Sequence, residues 1–473
     1  MRGRRLLSHV GHEAYFRGFH EWWEVVDSMA YASHDALLAY QDSRLRMLVR
    51  FAYKHVPYYR SLFASLGLSP QDIRGVHDLP ALPVLTKNDL EEHWSDFLPR
   101  GTHRGRYVTN STGGSTGRPL VYRMSREDFV LSQVIRHHAY SSAAGYRLGD
   151  RMVVLGGSSV LPSRRSWLKQ RIIDCVRHEH SYSSFSLSER KFQEIREVLE
   201  RPGACYMRGY PSSIYLFACS LLDAGATLRR APRAVFTTAE MLLPSHRDTI
   251  ESAFQTAVFD HYGLNDGGVS ACECENHAGL HVDMVRSVLE VVDDSGKPVD
   301  PGVTGHVLAT SLYNRAMPFV RYDTGDLAVL EERECSCGRH TPRLRSLVGR
   351  TGDCLVFRNG RIIAPPILTI LFGKYPIRQY QVVQKAPDSL EINLVTSKDF
   401  TMAHEERIRK AFAAHLGQID IRFNYLSSPQ LSNSKWKFIV SEIEGTDTGL
   451  TASKTLADTM PGRGSDATGC EGR

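Results

Sequence analysis

Asn110-Ser111-Thr112-Gly113-Gly114-Ser115-Thr116-Gly117-Arg118-Pro119 is the stretch from which the rest of this chain is best read. Three glycines let the backbone turn sharply and bring N–H groups close to an anion. The hydroxyls of Ser111, Thr112, Ser115 and Thr116 can donate further hydrogen bonds, and Arg118 adds a fixed positive charge. The combination suits phosphate oxygens. It is not a Walker A loop, because the Gly-Lys-Ser/Thr ending is missing. Taken alone, a segment rich in Ser, Thr and Gly is more often a plain polar surface loop, so its surroundings decide the reading.

Those surroundings alternate between strands and helices. Arg151–Gly157 reads as a buried strand entering a glycine turn, Leu187–Leu199 as a helix, and 234–239 and Val258–Gly263 as further short apolar strands. Such alternation argues for α/β layers. Ahead of the loop, Ser33–Leu66 has apolar residues at helical spacing, interrupted at Val56-Pro57, and Leu79–Lys87 reads as an extended, Pro-punctuated connector with Thr86 as a helix cap. From Val282 to Val329 strand signals dominate, which predicts a β subdomain at about 282–345. After Arg350 the pattern becomes a compact αβ module to about Ile443. Residues 444–473 are poor in apolar side chains and read as a disordered tail.

Bulk composition narrows the class. A chain of 473 residues needs more than one core, since domains usually run to about 100–200 residues. With 42% hydrophobic and 23% charged residues it is globular rather than disordered. No window approaches the roughly 18 unbroken apolar residues of a membrane helix, and no signal-peptide core follows the basic start, so a cytoplasmic protein without membrane insertion is expected. The net charge of +6 is mild and its Lys and Arg are dispersed, which favours small anionic ligands over nucleic acid.

Further motifs follow the loop in order: Thr238-Ala239-Glu240, Tyr262-Gly263-Leu264-Asn265-Asp266, Arg321-Tyr322-Asp323-Thr324-Gly325-Asp326, Gly349-Arg350-Thr351-Gly352-Asp353 and Ser434-Lys435-Trp436-Lys437. Together with the loop they resemble the landmarks of the adenylate-forming (ANL) superfamily. Ala52–Arg60, Leu82–Lys87, Arg208–Ser213 and Lys437–Ser441 resemble its phenylacetate-CoA ligase and CapK-like branch, and the likeness covers about Leu45 to Ile443. It implies an α/β fold with a large N-terminal AMP-binding domain (1–348) and a small, mobile α+β C-terminal lid domain (349–443). It also implies ATP-dependent activation of a carboxylic acid, an aryl acid by the nearest branch, to an acyl-adenylate. Acyl transfer to a thiol such as coenzyme A would follow, as in an AMP-forming acid–thiol ligase.

The same resemblance assigns roles. Ser111, Thr112, Gly113, Gly114, Ser115, Thr116 and Gly117 would cradle ATP phosphates; Glu240, Tyr262 and Gly263 would border the nucleotide; Arg350 would reach it. Asp326 would accept the ribose hydroxyls; a turn-capping Asp is its bland alternative. Asp266 stands where the family has a Mg²⁺-associated Glu, one methylene longer. Lys435 is the catalytic lysine candidate, with Lys437 as rival and Ser434 replacing the usual Gly. Asp353 would be the hinge, and Gly209, Tyr210 and Pro211 would border the acyl pocket.

Nine cysteines without secreted-scaffold spacing point to reduced thiols. Two close pairs, Cys272-x-Cys274 and Cys335-x-Cys337, accompany His277 and His281. Structural Zn²⁺ takes four Cys/His ligands. The expected set is Cys274, His281, Cys335 and Cys337, with Cys272 and His277 as alternates. Relatives with a similar Cys cluster add to this expectation. Two rivals to the CoA ligase reading stay open: CapK-like transfer to an amine or hydroxyl without CoA, and a non-catalytic nucleotide-binding relative. The sequence also admits a homodimer.

Overall fold

The computed structural model describes residues 2–101, 107–111, 120–156, 177–184, 187–350, 355–357, 362–363, 368, 371–372, 375–416, 419–427 and 438–443. The phosphate-loop residues 112–117, Asp353, Lys435 and the 444–473 tail lie outside the described residues.

The chain opens with helices α1 (Arg2–Tyr15), α2 (Phe19–Met29), α3 (His34–His55) and α4 (Pro57–Ser65). The expected break at Val56-Pro57 separates α3 from α4, with Pro57 at the first position, where a missing N–H costs nothing. The start of the expected extended connector is a correction. Val76–Ala81 forms a 3-10 turn closed by Leu82 N–H on the Leu79 carbonyl at 2.9 Å. Asp78 makes it possible by accepting from the N–H groups of Arg74 and Gly75, at 2.8 and 3.1 Å. Thr86 then caps α5 (Lys87–Glu92): its Oγ1 accepts from Asp89 N–H at 3.2 Å, and Asp89 accepts from Thr86 N–H at 2.8 Å.

A short hairpin, β1 (Tyr107–Ser111) and β2 (Val121–Ser125), pairs Ser111 with Val121, so the phosphate-loop stretch closes this hairpin. Helix α6 (Arg126–Ala144) follows directly, capped by Ser125 and ended by Gly145 at φ 68°. Arg286 fixes it through a buried two-point pair with Asp128, Nε–Oδ1 2.8 Å and Nη2–Oδ2 2.9 Å.

The main sheet has eleven strands. Its parallel half is β3 (Arg151–Gly156), β4 (Glu179–Ser183), β5 (Cys205–Gly209), β6 (Val235–Thr238) and β7 (Val258–Gly263), in the spatial order β4-β3-β5-β6-β7. Its antiparallel half is β8 (Ser270–Glu273), β9 (Leu280–Val282), β10 (Ser287–Val292), β11 (Thr304–Ser311), β12 (Tyr322–Glu331) and β13 (Arg343–Arg350), ordered β8-β9-β13-β12-β11-β10 beyond β7.

Both faces of the parallel half are covered, so its strands read as continuous apolar runs. One face sends Val153, Leu155, Met207, Val235 and Val258 against α7 (Glu189–Leu199), α8 (Pro211–Asp223) and α9 (Pro244–Phe254). Alternation turns Met152, Val154, Tyr206, Phe236 and Phe259 to the other face, packed with α6 and the N-terminal helices. The N-terminal helices contribute Phe16 and Phe19 to that core.

After β13, a two-stranded pair, β14 (Leu355–Val356) and β15 (Ile362–Ile363), leads to a four-stranded sheet. Its strands are β16 (Ile377–Ala386), β17 (Ser389–Thr396), β18 (Asp420–Tyr425) and β19 (Ile439–Ser441), ordered β18-β17-β16-β19, with helix α10 (Met402–Leu416). Val382, Ile392, Ile408, Phe412, Ile421 and Ile439 form a separate core there. This module meets the main body through the His246 and Phe438 rings at 6.1 Å and the Arg378–Asp223 pair at 3.3 Å. Among the described residues no helix is long and apolar enough to cross a membrane.

Candidate active site

Strand β12 positions the predicted Asp326. Gly325 adopts φ 72°, a left-handed conformation that a Cβ would strain. The turn is held by Gly325 N–H on Asp323 Oδ1 at 2.8 Å and by Asp326 N–H on Thr324 Oγ1 at 3.2 Å. Thr324 is itself anchored to the Val307 carbonyl at 2.8 Å. Asp326, only 8% exposed, accepts a 2.8 Å hydrogen bond from the Tyr262 hydroxyl. Burial, reinforced by the Asp326 charge, pushes the Tyr262 phenol well above its ordinary range, so it stays a donor. The two motifs, 64 residues apart, therefore meet in one contact.

Arg321, the first residue of the same motif, does not face the site. Its backbone sits at φ 53°, and its guanidinium is buried on Glu290 (3.2 Å), the Leu82 carbonyl (2.7 Å) and the Gly296 carbonyl (2.5 Å). Leu85 pairs with Tyr322, and Asp323 N–H donates to the Leu85 carbonyl at 2.8 Å. The connector between the N-terminal helices and α5 thus clamps the entry to β12.

Asp266 follows β7 and is 9% exposed. A Cβ on the next residue, Gly267, would stand 2.5 Å from the Ala309 Cβ and 3.5 Å from the Tyr322 ring, so the chain at Asp266 is pressed onto β11 and β12. On the other side stands Tyr122 of β2, whose phenol is raised by burial and then by the Asp266 charge. Tyr122 is the register partner of Asn110, next to the start of the predicted phosphate loop. The rings of Tyr122, Phe319 and Tyr322 follow one another at 6.4 and 5.0 Å. The hairpin that carries the loop therefore ends beside Asp266 and β12. Tyr122 and Phe319 were not legible as site residues, because an aromatic in a strand reads as core.

Arg350 is the register partner of Asp326 across β12 and β13. Gly263 ends β7, one residue beyond Tyr262. Glu240 supports the fold, because its Oε2 accepts from Ser212 N–H at 3.2 Å, at the first turn of α8.

A second cluster lies where β8, β9 and the 335–341 turn meet. Cys274, His281, Cys335 and Cys337 have ligand atoms all within 4.8 Å of one another. Cys274 Sγ is 3.7 Å from Cys335 Sγ, and Cys337 Sγ is 3.3 Å from His281 Nε2. A tetrahedral ion with metal–sulfur bonds of about 2.3 Å would set sulfur atoms about 3.8 Å apart, so the donor set and spacing fit Zn²⁺. Thr341 Oγ1 lies 3.0 Å from His281 Nδ1 and orients the ring. Both alternates are occupied elsewhere. His277 Nδ1 meets Glu273 at 3.2 Å, and Cys272 is buried in the β8 ladder.

Known proteins resemble this chain in sequence and in fold. A family profile described as the CapK C-terminal domain matches residues 355–442. A phenylacetate-coenzyme A ligase of Thermus thermophilus is 27% identical over 382 residues, covering 77% of this chain and 83% of that protein. Protein CapK of Staphylococcus aureus is 26% identical over 381 residues, covering 77% and 79%. Among solved structures, 2-hydroxyisobutyryl-CoA ligase in its postadenylation state with 2-HIB-AMP superposes with a TM-score of 0.70 at 21% identity, covering 88% of this chain and 91% of that one.

Proposed function

We propose that this chain, similar to phenylacetate-coenzyme A ligases and to CapK and sharing its fold with 2-hydroxyisobutyryl-CoA ligase, is an AMP-forming acid–thiol ligase of the adenylate-forming superfamily. It activates a carboxylic acid, an aryl acid by its similarity to phenylacetate-coenzyme A ligases, with ATP and passes the acyl group to coenzyme A. The carboxylate oxygen attacks the α-phosphorus and pyrophosphate leaves. The thiol sulfur then attacks the acyl carbon and AMP leaves. The observation that carries this reading is the meeting of Tyr262, Asp326 and Asp266 beside the hairpin that leads into the phosphate loop.

In this reading Asp326 accepts the ribose hydroxyls, held in place by Tyr262, and Arg350 lies beside it. The 112–117 backbone would bind the phosphates and Lys435 would stabilise charge between carboxylate and α-phosphate, with positioning and electrostatics supplying most of the rate. Mg²⁺ supplies charge neutralisation on the polyphosphate, and Asp266 is the carboxylate that would hold it. Residues 1–348 would form the AMP-binding domain and 349–443 the lid. Zn²⁺ on Cys274, His281, Cys335 and Cys337 would be structural, and a cytoplasmic setting suits its thiolates.

The test is a pyrophosphate-release assay over a panel of acids. At least one acid should give release that Lys435→Ala reduces by about 100-fold or more. No release with any acid, despite ATP binding, would leave a non-catalytic nucleotide-binding protein. A second reading is favoured by the CapK similarity: transfer to an amine or hydroxyl without coenzyme A. Offering thiols and amines to the preformed adenylate separates the two.

A further inference from the structure

Among the described residues, the α6 side of the parallel sheet gathers three largely covered arginines. Arg208 stands on β5 opposite Val154, and Glu179 stands on β4 opposite Met152, two residues lower on β3. Alternation turns Arg208 to the same face as Tyr206, under α6. Arg136 and Tyr140 descend onto that face from α6, one turn apart. Tyr140 stacks on Phe236 at 3.9 Å and meets the His261 ring edge-on at 6.1 Å. Arg208 lies against the Tyr140 hydroxyl and acts on Glu179, Arg136 and His261.

This layer holds three guanidinium groups, Arg136, Arg177 and Arg208, around one carboxylate, Glu179. Arg177 takes Glu179 at 3.8 Å. Among the described residues, Arg136 donates from Nη2 to the neutral Gln133 at 2.7 Å, and its Nε–H is buried without an acceptor. The Tyr140 hydroxyl is also buried, with the Arg208 guanidinium against it. A second buried carboxylate, Asp150, stands just before β3 at the Glu179 end and acts on Tyr146, as Glu179, Arg208 and Arg136 also do. The imidazoles are kept neutral: burial, and then the arginines, push His261 down to about 3.

Against burial, Glu179 and the neighbouring tyrosines hold Arg208 above its ordinary range, whereas burial and the Arg208 charge push Arg136 down to about 10, a cost that an arriving anion would offset. Their position says which anion. Ligands of parallel α/β sheets bind at the carboxyl ends of the strands. Arg208 is one residue before Gly209, the end of β5, and His261 is one before Tyr262, which holds Asp326.

The geometry points to an anion subsite, made by Arg136, Arg208 and the Tyr140 hydroxyl, at the inner end of the acyl pocket. The acid this enzyme activates therefore carries a second oxyanion group, such as another carboxylate, at the end remote from the reacting one. The inference rests on the adenylation reading above and narrows its substrate class.

Matched acids test it: phenylacetate against 4-carboxyphenylacetate, and hexanoate against adipate. In pyrophosphate exchange the second member of each pair should have a kcat/KM about 10-fold or more above the first. In Arg136→Met and Arg208→Met that ratio should fall to about one. Independently, 4-carboxyphenylacetate without ATP should raise the melting temperature of the wild type more than phenylacetate does, and neither variant should retain the difference. Arg136→Met also guards against misfolding, because removing uncompensated buried charge should raise its own Tm. A lowered Tm with an unchanged acid ratio would make the arginines structural and overturn the subsite. So would exchange that prefers phenylacetate to 4-carboxyphenylacetate, with adenylation intact. Arginine-dependent stabilisation by 4-carboxyphenylacetate with no exchange on any acid would keep the subsite and remove the adenylation reading.

Discussion

Asp326 is oriented by the Tyr262 hydroxyl, which donates to it at 2.8 Å. A hydrogen bond to a charged group contributes about 1.5–3 kcal/mol. Tyr262→Phe keeps the ring and loses the donor, so the KM for ATP should rise roughly 10- to 100-fold by the same estimate. Initial rates of exchange at varied ATP check this, and an unchanged KM would take Asp326 off the ribose. This contact was legible in the sequence because both ends belong to ordered motifs. Arg321 was not. Its motif suggests a nucleotide contact, yet its guanidinium is spent on Glu290 and two backbone carbonyls. Arg136 and Arg208 were equally hidden, since an arginine on a helix reads as a solvated face and one before a glycine turn reads as a loop cation. Only the packing of α6 on the sheet brings them together.

Elements carry the pH response. His246 on α9 is stacked on Tyr215 at 4.0 Å and faces Phe438 of the C-terminal module. Burial alone pushes its pKa down to about 3. The unfolded chain takes up this proton below about pH 6.5, and the folded chain refuses it until about pH 3. Stability from this group is therefore full above pH 6.5 and is lost as pH falls through that window, with a slope approaching about 1.4 kcal/mol per pH unit. Urea unfolding at pH 7.5, 6.0 and 5.0 should show the decline, and His246→Phe should make it shallower by up to about one proton. An identical slope in the variant would mean that His246 protonates freely in the fold. At this scale periodicity placed α3, α7 and the strands β3, β6 and β7, and left β4 and β5 unmarked. It missed the 3-10 turn at Val76–Ala81, because Pro80 signals an extended segment and the Asp78 bonds that close the turn are a side-chain matter.

Across the whole molecule, the β-rich segment continues the main sheet rather than standing beside it. β8 pairs with β7, and β13 joins β9, so residues about 60 positions apart share one ladder. Long-range pairing of this kind leaves no local mark in a sequence. The four metal-ligand candidates sit at that junction and were legible, because Cys-x-Cys spacing and a nearby His are chemically specific. Protein purified without chelator should carry about one Zn²⁺ per chain, and its removal should lower the melting temperature by several degrees, at roughly 2–4 °C per kcal/mol for a chain of this kind. Finding no zinc in chelator-free protein would discard that site. The proposed chemistry depends on one nucleotide lying between the 112–117 loop and Asp326. A crystal structure with ATP bound measures this directly. Ribose hydroxyls within hydrogen-bonding distance of Asp326, with the phosphates under the loop, are the expected result. A nucleotide bound elsewhere, or a loop turned away from the Asp326 cleft, would contradict it.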